Sequence, residues 1–238
     1  MGTDISSATT GTTGSYPECV EHGVWSPIPK DPPDDILQMK LKDVDPDEAR
    51  VIKERGVLVF HAVGCSGDFK DHEPGLAVAN AMAQQISGSS NPQGSTPAIG
   101  PSFLFHLGDI VYKDEDPADP AGKDQATMYS TQFYGQYANY GRNIFAIGGN
   151  HDAKSSAHKE KSAVDHFLLN FCDSKRRQSP DNLAANSKRL TMNQPYPYWV
   201  FETAVCYFVN LYTNDINGDN WMIQPAKKDP NITGSSKR

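Results

Sequence analysis

Two short clusters carry side chains suited to metal and phosphoryl chemistry: Gly108-Asp109-Ile110-Val111-Tyr112 and Gly149-Asn150-His151-Asp152. Each follows an apolar run, Phe103 to Leu107 in the first case and Asn143 to Ile147 in the second. A carboxylate one residue beyond a strand-ending glycine lies exposed at a sheet edge with a rigid strand behind it, where it can bridge two cations. The second cluster offers three different groups in succession. An Asn carbonyl oxygen is a neutral ligand, a His can give a proton to a phosphoryl or leaving-group oxygen, and an Asp can fix the ring's tautomer and raise its basicity. Gly-Asp after a strand is also ordinary turn chemistry. The same arrangement at two strand ends is what selects chemistry over a turn.

The elements that must hold these clusters can be read from the same sequence. Asp45-Pro46-Asp47-Glu48 combines an N-cap, Pro at the first helical position and an acidic first turn, with Gly56 as a stop, and predicts a helix over 46–55. Val57 to Val63 is a nearly continuous apolar run, the pattern of a strand buried on both faces. Leu76, Asn80, Ala83 and Ile86 repeat with helical spacing, and Ser87 to Pro101 reads as loop. Tyr129, Phe133, Tyr137 and Tyr140 form an aromatic stripe on a helix over 126–139, whose plain meaning is core packing. Val164, Phe167, Leu168 and Phe171 mark another helix, and strands are expected at 198–203 and 205–211. Strands alternating with helices, with polar residues after strand-ending glycines, indicate an α/β sheet whose chemistry sits at the carboxyl edge.

Asp109, Tyr112, Asn150, His151 and Asp152 together resemble the motifs G-D-x-x-Y and G-N-H-D of the calcineurin-like metallophosphoesterases, the purple-acid-phosphatase-like bacterial group in particular. The resemblance runs from about residue 56 to 215. It implies a two-sheet sandwich flanked by helices, and hydrolysis of a phosphomonoester or phosphodiester by a metal-bound hydroxide attacking in line. It also implies a binuclear centre of Fe, Zn or Mn. By that carry-over Asp109 would bridge the metals, Tyr112 and Asn150 would bind them, and His151, oriented by Asp152, would stabilise the transition state or protonate the leaving group.

The sequence departs from that pattern in two places. Cys65, in Val63-Gly64-Cys65-Ser66-Gly67-Asp68, stands where the family has its first metal-binding Asp, so either the Cys65 thiolate or Asp68 would have to serve. The family's later histidine ligands are missing, since no histidine follows His166. The resemblance therefore implies a C-terminally truncated sandwich, an incomplete ligand set and low or absent turnover, and the competing expectation is an inactive relic acting at most as a binding module. His61 and His106 read as core or supporting residues, His158 and His166 come too early to replace the missing ligands, and His22 and His72 read as loop residues.

Length and composition bound the rest. The 238 residues suit one domain, expected over 36–222, between a flexible arm over 1–35 rich in Ser, Thr, Gly and Pro and a disordered tail over 223–238. A net charge of -7 argues against a nucleic-acid partner, and no apolar run approaches a membrane span. The partner that the resemblance implies is a small-molecule phosphate ester. Four scattered cysteines and a start without a basic, apolar leader suggest the cytoplasm.

Overall fold

Helix signals and apolar runs resolve into two three-stranded sheets with helices around them. The computed structural model describes residues 37–67, 73–87, 99–112, 125–153, 164–182 and 187–212. The expected arm over 1–35, the tail over 223–238, Asp68, His22, His72 and His158 lie outside the described residues. Among the described residues no helix is long and apolar enough to cross a membrane.

The first sheet is parallel, and both motif clusters follow its strands. Strands β2 (His61–Val63), β3 (Phe103–His106) and β4 (Asn143–Ala146) lie side by side in that order, with Val63 opposite His106 and His106 opposite Ala146. The central strand β3 is buried throughout, which is why its sequence is continuously apolar rather than alternating. The expected strand over Val57 to Val63 is shorter in the structure. Regular pairing begins only at His61, and Val57 and Phe60 are 45% and 38% exposed. The physical reason is position: among the described residues β2 is the edge strand, paired on one side only.

The second sheet pairs β1 (Gln38–Lys40) in parallel with β5 (Trp199–Glu202), which pairs antiparallel with β6 (Tyr207–Asn210). Its aromatic face packs on the first sheet. Phe201 lies 4.3 Å from Phe145 and 5.4 Å from Phe103, and Phe105 stacks on Trp199 and Phe208 at 6.3 and 5.6 Å between ring centroids. Large rings at alternate strand positions fill the space between two sheets, and each buries a large apolar area. The opposite face of the parallel sheet carries helices. His61 on that face bonds Tyr140 and Gln85, and His106 meets the edge of Tyr137.

The helices match their signals, with one change of type. Helix α2 (Pro46–Arg55) follows α1 (Leu41–Val44); the Asp45 carboxylate accepts from the Glu48 amide at 3.1 Å, and Gly56 ends it at φ +66°. Helix α3 (Glu73–Ser87) lies between β2 and β3, and α5 (Asp165–Phe171) follows β4. The expected helix over 126–139 is an α-helical turn, α4 (Gln125–Met128), running into a π-helical segment over Tyr129–Gly135. Its four aromatics are buried as expected. The wider coil also buries Ser130, Gln132 and Tyr134, so it is covered on more than one side, and π-helical segments recur where a helix serves a site.

Candidate functional site

Both clusters sit at the carboxyl edge of the parallel sheet, because the strand ladder continues past the strand ends. The Leu107 amide donates to Val63 O at 2.7 Å, the Cys65 amide to Gly108 O at 2.9 Å, and the Ile147 amide to His106 O at 3.0 Å. These bonds fix three loop entries side by side. Close approach of two loops then requires glycine: a Cβ on Gly108, itself at φ +95°, would meet the Gly149 backbone nitrogen at 2.9 Å.

Cys65 and Asp109 both take φ +53°, the left-handed region that L side chains other than Asn and Asp rarely adopt. The result is convergence. Asp109 Oδ2 accepts from the Tyr112 hydroxyl at 3.1 Å and from Cys65 Sγ at 3.7 Å. Asp109 Oδ1 accepts from the His151 amide at 3.0 Å. Asn150, half-buried, lies in the turn between Gly149 and His151, both of which touch the Asp109 carboxylate. The His151 ring packs over the Tyr112 ring with centroids 4.1 Å apart. Of the sequence-predicted site residues, Cys65, Asp109 and Tyr112 thus meet at one carboxylate oxygen, with His151 and Asn150 alongside.

Asp152 has a different task from the expected one. Its hydrogen bonds go to backbone amides: Oδ1 accepts from Ile110 at 2.9 Å and Val111 at 3.1 Å, and Oδ2 accepts from Gly149 at 2.8 Å. Fully buried, this carboxylate staples the Asp109 loop to the Asn150 loop rather than orienting an imidazole. Burial pushes it up to about 7, against the pull of the three amides, and the nearby Asp109 charge adds to the rise.

Three supporting residues were not singled out by the sequence. Gln132, from the π-helical segment, clamps the Tyr112 backbone: the Tyr112 amide donates to its Oε1 at 2.7 Å and its Nε2 donates to Tyr112 O at 2.9 Å. Ser66 Oγ and His106 Nε2 are 2.6 Å apart, tying the Cys65 loop to strand β3. Gln194 does for β4 what Gln132 does for Tyr112, accepting from the Ala146 amide at 2.7 Å and donating to Ala146 O at 2.9 Å. No local signal marks a glutamine whose amide imitates a neighbouring strand. His61 and His106 are supporting residues as expected, and His166 bonds Asp181 at 2.9 Å, away from the Asp109 oxygens.

The electrostatics suit a cation. Burial foremost, then the Cys65 thiol and the Asp109 carboxylate, holds the Tyr112 phenol well above its ordinary value, so without a positive charge it stays protonated and donates to Asp109. Burial pushes His106 down to about 3, with Asp109 opposing, so that ring is neutral and leaves Asp109 uncompensated. Among the described residues no three His, Cys, Asp or Glu side chains cluster as a metal site. The third donor here is the phenol: carboxylate, thiol and phenol oxygen or sulfur atoms around one point make a donor set that fits a single cation.

No protein-family model matches this sequence, no curated protein matches it, and no solved structure matches its fold.

Proposed function

We propose that the chain is a metal-dependent phosphoesterase of the metallophosphoesterase type, acting on a small phosphomonoester or phosphodiester. The observation that carries this reading is the meeting of Cys65 and Tyr112 on Asp109 Oδ2, beside the Gly149-Asn150-His151 turn, at the carboxyl edge of a parallel sheet. That edge is where open α/β sheets collect their ligands. The two three-stranded sheets packed through aromatic faces are compatible with the expected sandwich.

Asp109, Tyr112 and the Asn150 amide oxygen would hold the cation. When bound, a divalent cation supplies Lewis acidity, activating a water and neutralising charge on phosphoryl oxygens. The protein's own contribution is placement. Asp152 fixes the two loops to each other, Gln132 fixes the Tyr112 backbone, and the Tyr112 ring holds His151 where it can donate a proton to the leaving oxygen. Because Asp109 Oδ1 is engaged by the His151 amide, a cation would meet Oδ2, taking the place of the Tyr112 and Cys65 protons there, and that single oxygen serves one cation more readily than two.

The test is hydrolysis of a generic aryl phosphate and of the matching diester in added Zn²⁺, Mn²⁺ or Fe²⁺, with bound metal counted in parallel. Metal-dependent turnover lost by at least about a hundredfold in Asp109→Asn is expected, the size of effect seen when one directly placed polar group is removed. Turnover unchanged by that substitution, or unchanged by chelation, overturns the reading. The engaged Oδ1 favours one alternative: a single-cation binding module, which would retain metal sensitive to Asp109→Asn yet hydrolyse neither ester above background.

A further inference from the structure

We propose that Cys65 is a thiolate ligand, which makes this a one-cation, thiophilic centre that selects Zn²⁺, Co²⁺ or Cd²⁺ over Mg²⁺ and Mn²⁺. This rests on the reading of Asp109 and Tyr112 as cation ligands, and names the metal class of the same site. Three independent features point to it.

The first is backbone conformation. Cys65 is not a residue that adopts φ +53° cheaply, and it does so directly opposite Asp109, which holds the same φ. Such outliers persist only where the surroundings enforce them, and the enforcing bonds are the Cys65 amide to Gly108 O at 2.9 Å and the Gly67 amide to Asp109 O at 3.4 Å. The geometric outcome is that Sγ turns toward Oδ2 at 3.7 Å instead of out along the loop. The second feature is accessibility: Cys65, like Cys206, is exposed and unpaired with another cysteine, so its sulfur is available to an ion from solvent. The third is charge balance. Asp109 carboxylate and Cys65 thiolate would together neutralise a dication, the Sγ proton leaving to solvent, and the Tyr112 oxygen that meets the same carboxylate oxygen would be the third donor.

A sulfur donor in a three-atom set decides metal preference, because thiolate binds Zn²⁺, Co²⁺ and Cd²⁺ far better than hard, oxygen-seeking Mg²⁺ or Mn²⁺. The experiment is cobalt titration of the full chain, followed by Zn²⁺ and Mn²⁺ competition, on the wild type, Cys65→Ser and Cys206→Ser. Wild type and Cys206→Ser should show a thiolate-to-cobalt charge-transfer band in the near ultraviolet together with visible ligand-field bands. Cys65→Ser should keep the visible bands and lose the near-ultraviolet one, with Zn²⁺ affinity down by at least about tenfold, as loss of a supporting metal contact costs, and Mn²⁺ affinity changed less. A charge-transfer band that survives in Cys65→Ser overturns the inference, as does cobalt bound to the wild type without such a band; in either case the cation reading of Asp109 stands. Failure of cobalt to bind the wild type at all overturns both.

Discussion

Asp109 is held by the Tyr112 hydroxyl, Cys65 Sγ and the His151 amide, and its close approach to Gly149 makes that glycine a sensitive neighbour to alter. A Cβ on Gly149 would meet Asp109 Oδ1 at 2.2 Å, so Gly149→Ala must push the carboxylate off the point where Cys65 and Tyr112 converge. A fall in cobalt affinity of at least about tenfold is expected in Gly149→Ala. Gly141→Ala, with nothing within 4 Å of its Cβ, should leave it unchanged; equal affinities in the two variants would show that the carboxylate position does not matter. Two buried titrating groups under the site give a second prediction, with opposite signs. His106 falls from 6.5 to about 3 on folding, so the unfolded chain binds its proton first and its contribution to stability is lost as pH drops from about 6.5 toward 3. Asp152 rises from 3.8 to about 7, so the folded chain binds its proton first and its contribution is lost as pH rises from about 4 to 7. Each proton is worth about 1.4 kcal/mol per pH unit within its window, and between about 4 and 6.5 the two offset. Relative to the wild type, urea unfolding of His106→Gln should lose stability with rising pH across that interval, and Asp152→Asn should gain it; parallel curves for all three proteins would refute both assignments. Asp109, Asn150 and His151 could be singled out in the sequence because strand, glycine and donor are adjacent in the chain, whereas Tyr112 and Cys65 entered only through the family resemblance. The Asp152 staple could not be, because its partners Ile110 and Val111 lie some forty residues away.

The π-helical segment Tyr129–Gly135 links packing to the site, since one side supplies Gln132 to Tyr112 while the turn that follows it is held from elsewhere. That hold is Arg189, whose guanidinium donates to Arg142 O at 3.0 Å, to Tyr137 O at 3.1 Å and to Tyr140 O. A charged donor gathering terminal carbonyls satisfies groups that a helix end otherwise leaves open. Arg189→Met removes it; Tyr137 O keeps the Tyr140 amide, while Arg142 O and Tyr140 O lose their guanidinium donor, a loss on the order of 3 kcal/mol for bonds from a charged group. A shift of the urea midpoint of that size is expected, and a shift below about 0.5 kcal/mol, the ordinary range of a surface substitution, would show that the clamp is not structural. The strands β3 and β4 and the helices α2 and α3 were readable because each carries its own signal: continuous apolar burial, an N-cap with Pro, or spacing of apolar residues. Strand β1 was not readable, because Gln38-Met39-Lys40 is three residues long and becomes a strand only by pairing with β5, about 160 residues later. The change from α to π geometry over 129–135 also has no local cause in the sequence; the aromatic stripe fits either coil, and packing decides.

The site stands on one sheet, yet that sheet is completed by the other. Phe103, Phe105 and Phe145 turn their rings away from the helices, and without Trp199, Phe201 and Phe208 they would face water. Phe201 is the hinge of this packing, fully buried and within 6.0 Å of four other aromatic rings' centroids, those of Phe103, Phe145, Trp199 and Phe208. Truncating it to Ala leaves a cavity between the layers, at a cost of about 3–5 kcal/mol for a buried ring. If the two sheets fold as one unit, the loss appears as a shift of a single transition, with tyrosine near-ultraviolet dichroism and, in a chain whose Trp25 and Trp221 are replaced by Phe, the fluorescence of Trp199 moving together. If the sheets are independent, the tryptophan signal moves alone and the tyrosine signal keeps its midpoint. The coincident shift is expected, because the aromatic contacts run between layers as closely as within them. Cobalt affinity measured in the folded baseline should then stay within about threefold of the wild type, since the bonds that set Cys65 and Asp109 run through the strand ladder rather than through Phe201. A large loss of affinity there would show instead that the aromatic layer sets the loop positions directly.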